Sequence, residues 1–232
     1  MRPFLMGTTM PAYVLRREIS CCRIGDEVVF LDIIRDRYFR LPSDLERAFL
    51  RFMDGEQLEP RSLEALVQRG VLLPCSAGGQ RVWAKAPTPL RSAMEMPSPP
   101  VRVDLPTGAD VLLTTLRARW DLRTKPLGAI LSKLGPIAEN PATAPRHGAD
   151  APYLFDCAAQ FRRTRLYAPV AMRCLIDSIA MTRFLRRRRL AAQIVFGVAL
   201  NPFSAHCWVQ SGDVVLNDSI GNVNAHTVIR VV

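Results

Sequence analysis

Residues 201–218 read NPFSAHCWVQSGDVVLND. Apolar residues alternate with others, Ser211–Gly212–Asp213 is a turn signal in the middle, and the segment closes on an acid. The pattern predicts a β-hairpin that carries one of the chain's three histidines on its first strand. With a three-residue loop, Gly212 supplies the positive φ, Gln210 pairs with Val214, and His206 lies opposite Asp218. Opposite residues share a face with Cβ atoms about 5 Å apart, so the carboxylate can accept a hydrogen bond from one imidazole nitrogen and fix its tautomer. A two-residue loop would turn Asp218 to the other face, and the meeting would then require a bend at the end of the strand.

A histidine oriented by an acid is half of a nucleophilic site. The other half must come from elsewhere in the chain, and Cys174 is the leading candidate. It lies near the start of a helix expected to open on Pro169, with Arg173 beside it in sequence. A helix N-terminus and a neighbouring cation both stabilise a thiolate, and the free N–H groups there can receive an oxyanion. The order Cys on a helix, His on a strand, Asp on the next strand is that of papain- and transglutaminase-type enzymes. Each residue alone has a plainer reading, core filling for the cysteine and packing for the histidine; the combination with a matching acid favours chemistry.

The other candidates read as weaker. Cys207 follows His206 and so points to the opposite face, toward the core. Cys157 reads as core, and Cys21 and Cys22 lie far from any histidine in sequence. His226 has no acid after it, and His147 sits in a Pro-rich loop. Trp208 shares the His206 face and either shields the site or packs; Asn217 either bonds near Asp218 or faces solvent. No CxxC pair exists and the histidines do not cluster with cysteines, so no metal and no cofactor is expected.

Outward from the hairpin, the 232 residues are 49% hydrophobic, enough for one large domain or two small ones. Residues 13–41 read as strands, including EVVFLDI and RYFRL. PSDLERAFLRFMDG reads as a helix with Leu45, Ala48, Phe49 and Phe52 on one face, and PRSLEALVQRGVLL as a second, opened by Pro60 and stopped at Gly70. That gives a unit over 1–80 made of three strands, two helices and a closing apolar segment. Residues 81–106 are rich in proline and read as a linker onto which Val82 and Trp83 can dock. Residues 107–232 read as helices first and an antiparallel sheet after, an α+β domain. The helix opened by Pro169 has Leu175, Ile176, Ile179, Ala180 and Phe184 as its apolar stripe.

The formal net charge is +10. Residues 1–80 hold eleven Arg and eleven Asp/Glu, so the excess lies after them, largely in FRRTRLY and RFLRRRR. The preferred reading is a solvated helix face, with attraction to an anionic peptide as the second. Without aromatic interleaving or a recognition motif, no nucleic acid is expected. No apolar run approaches the ~18 residues of a membrane span. Residues 1–18 lack an apolar core and a small-residue cleavage site, so neither membrane nor signal peptide is expected, and the cytoplasm is the expected location.

The segment CLIDSIAMTRFLRRRRLAAQIVFGVALNPFSAHCWVQSGDVVLND resembles the leader-peptidase region of lasso peptide biosynthesis B proteins. The resemblance rests on Cys174-Leu175, Arg186 to Arg189, Gly197-Val198, Phe203 to Val209 and Asn217-Asp218. It departs at Cys207, where the family usually has Ala. It implies a transglutaminase-like cysteine protease fold with Cys174, His206 and Asp218 as the triad. GDEVVFLDIIRDRYFRLPSDLERAFLRFMDGE and LVQRGVLL are similar to the PqqD-like, winged-helix-like peptide-recognition element. That likeness implies a leader peptide added as a strand beside Arg37, Tyr38, Phe39 and Arg40, with the helix carrying Leu63 and Val67 as the other wall. Trp208 is a further substrate-side candidate. The implied partners are a precursor leader peptide and an ATP-dependent macrolactam synthetase. An acyltransferase with the same triad, a non-catalytic leader-binding adaptor and, more distantly, a basic nucleic-acid binder are the alternatives.

Overall fold

The computed structural model describes residues 12–75, 83–96, 103–134 and 151–232. The readings of the chain's first eleven residues, of Val82 and of His147 in its Pro-rich loop lie outside the described residues.

The N-terminal unit runs β1 (Ala12–Leu15), β2 (Ile19–Ile24), β3 (Glu27–Asp32), β4 (Arg37–Phe39), α1 (Ser43–Met53), α2 (Pro60–Gln68) and β5 (Leu72–Cys75). β2, β3 and β4 form an antiparallel meander, while β1 pairs with β5 in a separate two-stranded ribbon. Four strands thus precede the first helix rather than three. The extra one, β1, needs the closing tail as its partner, a pairing that no local turn signals. Both helices stop just before glycines in the left-handed region, Gly55 at φ +90° and Gly70 at φ +69°, where a side chain would be strained.

β3 is buried almost throughout, which explains why its sequence is a continuous apolar run instead of an alternation. Val28 and Phe30 face the N-terminal core with Phe49, Phe52 and Leu66. Val29 and Leu31, with Cys22 and Ile33, face the core of the second unit beside Phe184 and Phe196. The two units therefore share a buried seam. Part of the presumed linker also belongs to it: Trp83 packs edge-on against Phe49 at 6.4 Å, and Arg91–Ser92 form β6 in the second sheet.

The second unit continues with α3 (Leu105–Thr124), α4 (Leu127–Ser132), α5 (Ala151–Arg165), α6 (Cys174–Arg187), β7 (Gln193–Ala199), β8 (Ser204–Ser211), β9 (Val214–Val215), α7 (Ile220–Asn224) and β10 (Thr227–Val231). The sheet order is β10-β7-β8-β9-β6, antiparallel except for the parallel β6–β9 pair. The predicted stripe of α6 is interior at Ile179, Ala180 and Phe184, and half-buried at Leu175 and Ile176. The basic end of α6 is only partly a solvated face: Arg187 and Arg189 are exposed, but the run is also tied down. Arg183 pairs with Asp121 at 2.7 Å, Arg187 and Arg188 both pair with Asp110, and the Arg188 guanidinium lies 3.6 Å from the Phe184 ring centre. These arginines tie α6 to α3, so a run read as surface charge is an inter-helix clamp. Among the described residues, no helix is long and apolar enough to cross a membrane.

Candidate active site

The hairpin has a two-residue loop. Gln210 pairs with Val215 and Ser211 with Val214, leaving Gly212 at φ +58° as the first loop residue. This corrects the three-residue register expected from Ser211–Gly212–Asp213. In the observed register Asp218 would fall opposite Cys207 if the strand ran on, but β9 ends at Val215. One more backbone bond follows, from the Leu216 N–H to the Val209 carbonyl at 2.8 Å; the chain then peels away, and side chains take over from the ladder. Asn217 Oδ1 accepts the Val209 N–H at 2.7 Å, Asn217 Nδ2 donates to Ser178 Oγ at 3.2 Å, and the Ser92 hydroxyl donates to the Asp218 carbonyl at 2.5 Å. The bend brings Asp218 to His206, whose Nε2 is hydrogen-bonded to Oδ2 of the carboxylate.

The carboxylate is held by two further donors. The Ser219 N–H donates to Oδ1 at 2.7 Å, and Asn222 Nδ2 donates to both oxygens at 3.1 and 3.0 Å. Burial raises the Asp218 pKa, but the bonds from His206, Asn222 and the Ser219 amide outweigh it and leave the group below its ordinary value. Asn222 belongs to α7, a five-residue helix capped by Ser219, whose side chain accepts from the Asn222 amide. Neither α7 nor Asn222 was visible as part of the site. The Ser219 cap was the one signal available, and it marks a helix start without saying where the helix packs.

α6 begins at Cys174 itself, with Arg173 as its N-cap in extended conformation. Pro169 does not open the helix; it stands in the preceding turn. That turn is pinned by Arg165, which is 3% exposed: its Nη2 donates to the Ala171 carbonyl at 3.1 Å and its Nε to Asp177 at 2.5 Å. The thiol thus lies in the first turn of α6, where backbone N–H groups lack helical partners.

Two hydrogen bonds pull the Cys174 pKa down to about 4 against the effect of burial, the larger from the Cys207 thiol and the next from His206. Arg173 is not among the groups that lower it. His206 rises to about 9, first through Asp218 and then through Cys174. With Nε2 engaged by the carboxylate, Nδ1 is the ring nitrogen left for the sulfur. Cys174, His206 and Asp218 therefore meet although distant in sequence, in an arrangement suited to a thiolate–imidazolium pair.

The floor beneath His206 is Trp208. Its ring stacks near the imidazole, 25° from parallel with centroids 6.3 Å apart, and its Nε1–H donates to Gln210 Oε1 at 2.9 Å. Trp208 is 1% exposed, so it packs and shields; it has no surface for the substrate contact expected of it. Gly197 pairs with His206 across β7 and β8, and a Cβ there would come within 2.8 Å of the Trp208 ring. His226 lies beside the site, its ring centre 5.4 Å from that of His206, but its nitrogens are engaged: Nδ1–H donates to the Asn222 carbonyl at 2.8 Å, and Nε2 accepts from Ser204 at 3.1 Å.

Of the residues expected to hold a peptide, Tyr38 of β4 lies within electrostatic reach of the thiol. Its ring packs edge-on against half-exposed Phe203 at 5.6 Å. Its hydroxyl is pushed well above the ordinary range, by burial first and then by Cys207, Asp36, Cys174 and Cys22. Arg37 is exposed and reaches over the Phe39 ring at 5.5 Å. Phe39 itself stacks on Phe30 at 5.1 Å, and Leu63 and Val67 pack half-buried on the N-terminal core. Arg40 pairs with Glu27 at 2.9 Å and reaches Glu46 at 3.7 Å. Among the described residues, β4 pairs only with β3, leaving its other edge open, and no cluster of three or more His, Cys, Asp or Glu is placed to hold a metal.

The microcin J25-processing protein McjB of Escherichia coli is 44% identical over 46 residues, 20% of this chain and 22% of that protein. The match thus spans about a fifth of the relative's length. No solved structure matches the chain. The model of the transglutaminase-like superfamily matches residues 112–231, more than half of the chain and nearly all of the unit that carries Cys174, His206 and Asp218; the chain belongs to that superfamily.

Proposed function

We propose that the chain is a cysteine endopeptidase that removes the leader from a lasso peptide precursor. The observation that carries this reading is the meeting of an acidified Cys174 thiol with an Asp218-held His206; the partial likeness to a microcin-processing protein points to the substrate class. Cys174 attacks the scissile carbonyl as a thiolate, and the free N–H groups of the first turn of α6 receive the oxyanion. The imidazolium of His206 protonates the departing amine, leaving an acyl-enzyme on the last leader residue. Water, deprotonated by His206, then releases the leader. Asp218 holds the ring in place throughout.

The N-terminal unit takes the role of the PqqD-like clamp, with the leader added as a strand on the open edge of β4 beside Arg37. Tyr38 supports this role, because it belongs to β4 and also lies by the thiol: a peptide laid on that edge is led toward Cys174. Tethering at β4 makes the second encounter intramolecular, so modest leader affinity suffices. The freed core peptide passes to an ATP-dependent macrolactam synthetase.

Incubation with a lasso precursor is expected to give free leader and core peptide by mass spectrometry, and Cys174→Ala is expected to give neither. A crosslinked or amidated leader in place of the hydrolysed one would instead assign an acyltransferase. Cleavage by the alanine variant at the wild-type rate would overturn both readings.

A further inference from the structure

A second thiol lies under the first. Ser178 follows Cys174 by one turn of α6, and residues at that spacing share a helix face. The Ser178 hydroxyl donates to the Cys207 carbonyl at 3.3 Å and lies 3.8 Å from Cys207 Sγ. This places Cys207 of β8 beneath the first turn of α6, near enough to Cys174 for that sulfur to push the Cys207 thiol well up. Both are thiols, Cys207 is 3% exposed, and Cys174 is partly open to solvent.

We infer that Cys174 and Cys207 form a reversible disulfide that closes the site under peroxide and protects the reactive sulfur from permanent oxidation. The exposed partner meets the oxidant. The Cys174 thiolate attacks the O–O bond of hydrogen peroxide, forming an S–O bond and releasing hydroxide, which takes the proton held on His206 and leaves as water. The Cys207 sulfur then attacks the sulfenyl sulfur. The S–S bond forms, the S–O bond breaks, and the Cys207 proton departs with the hydroxide as a second water. Two thiols lose two electrons and two protons, and one peroxide becomes two waters. A dithiol reductant reverses the process by thiol–disulfide exchange. Without a neighbour, the sulfenic acid would continue to the sulfinic and sulfonic acids.

The test reads thiol chemistry alone, so it stands or falls independently of any peptidase activity. The purified full-length chain is treated with hydrogen peroxide, alkylated with iodoacetamide, digested with trypsin and examined by mass spectrometry without reduction. Cys174 and Cys207 fall on separate peptides, 174–183 and 190–230. The expected result is a linked pair of these peptides, lighter than their sum by two hydrogens, with dithiothreitol restoring Cys174 alkylation to its untreated level. In Cys207→Ala, irreversible acid at Cys174 should rise at least ~10-fold at equal peroxide dose. Cys207→Ser, nearer in shape, should behave alike. Absence of the linked pair in the wild-type chain, with Cys174 passing directly to sulfinic acid, would overturn the inference. So would linkage of Cys174 to any other cysteine.

Discussion

Cysteine stands beside cysteine at two places in this molecule, and the two places behave in opposite ways. Cys21 and Cys22 are adjacent on β2 and point to opposite faces of its sheet, one into each core. Burial pushes both up to about 12. Cys174 and Cys207 are distant in sequence and neighbours in the fold, and Cys174 falls to about 4. Burial acts on Cys174 as well, and in the same direction. What separates the pairs is what the sulfur can bond to: on β2 nothing offsets burial, while at the start of α6 the sulfur finds a thiol donor and an imidazole that keeps the proton. Reactivity here follows from partners rather than from exposure.

The strongest way to break that comparison is to make one replacement at both places. Cys174→Ala should lower precursor cleavage by ~10³-fold or more, the scale seen when a nucleophile is lost. Cys21→Ala should leave the rate unchanged and cost about 1 kcal/mol of stability, read by denaturant unfolding. A rate loss at Cys21 comparable to that at Cys174 would mean that β2 is part of the chemistry.

The next largest effect belongs to the carboxylate. Asp218→Asn should reduce kcat/KM by ~10²–10⁴-fold, since the ring loses both its orientation and its counter-charge. Its pH profile is the sharper readout. In the wild type the ion pair exists between about 4, where Cys174 gains a proton, and about 9, where His206 loses one. Cleavage should therefore follow a bell with limbs near those values. Asp218 is the leading cause of the rise in His206, so the amide variant should bring the alkaline limb down toward the ordinary 6.5 and leave the acid limb in place. An unmoved alkaline limb would assign the rise to Cys174 instead.

Arg165 tests how the thiol's setting is built. It is almost fully buried and pairs with Asp177, whose carboxyl burial pushes up and the arginine pulls back. Arg165→Ala strands that carboxylate in the interior and releases the turn before Cys174. The expected cost is about 3–5 kcal/mol, read as a loss of thermal or denaturant stability. Arg165→Ala with Asp177→Ala should recover part of it, because the pair is then removed together.

The parts of the fold legible in the sequence were those whose signal is local. Proline starts, glycine stops and three–four spacing located α1 and α2, and the switch to a period of two located β7 and β8. The encounter of Cys174, His206 and Asp218 was also anticipated, but through the wrong register. A Ser-Gly-Asp turn fits two loop lengths equally well, and the bonds of Asn217 to Val209 and to Ser178 of α6, which accompany the observed one, involve packing against a separate helix. Cys207 was read correctly as pointing away from His206 and into the core. That the core at that point is the underside of Cys174 depends on how α6 crosses β8, a matter of packing with no trace in local spacing. The arginines of α6 failed for the same reason, since Asp110 and Asp121 lie far away in sequence.

The smallest effect concerns the floor of the site. Gly197 is not in the left-handed region; its requirement is one of space. An alanine Cβ would lie 2.8 Å from Trp208 Cζ3 and 2.8 Å from the Cβ of His226. The first neighbour is a rigid, fully buried ring locked through Gln210 to the Pro87 carbonyl at 2.6 Å, so it cannot swing aside. Overpacking of this kind costs about 1–3 kcal/mol. The displaced indole would tilt the imidazole stacked on it. Gly197→Ala should therefore lower stability by that amount and also lower kcat with KM little changed, a split that a purely structural lesion would not give. If stability falls while kcat per folded molecule holds, Trp208 serves the core alone, and the orientation of His206 is owed to Asp218 and Cys174.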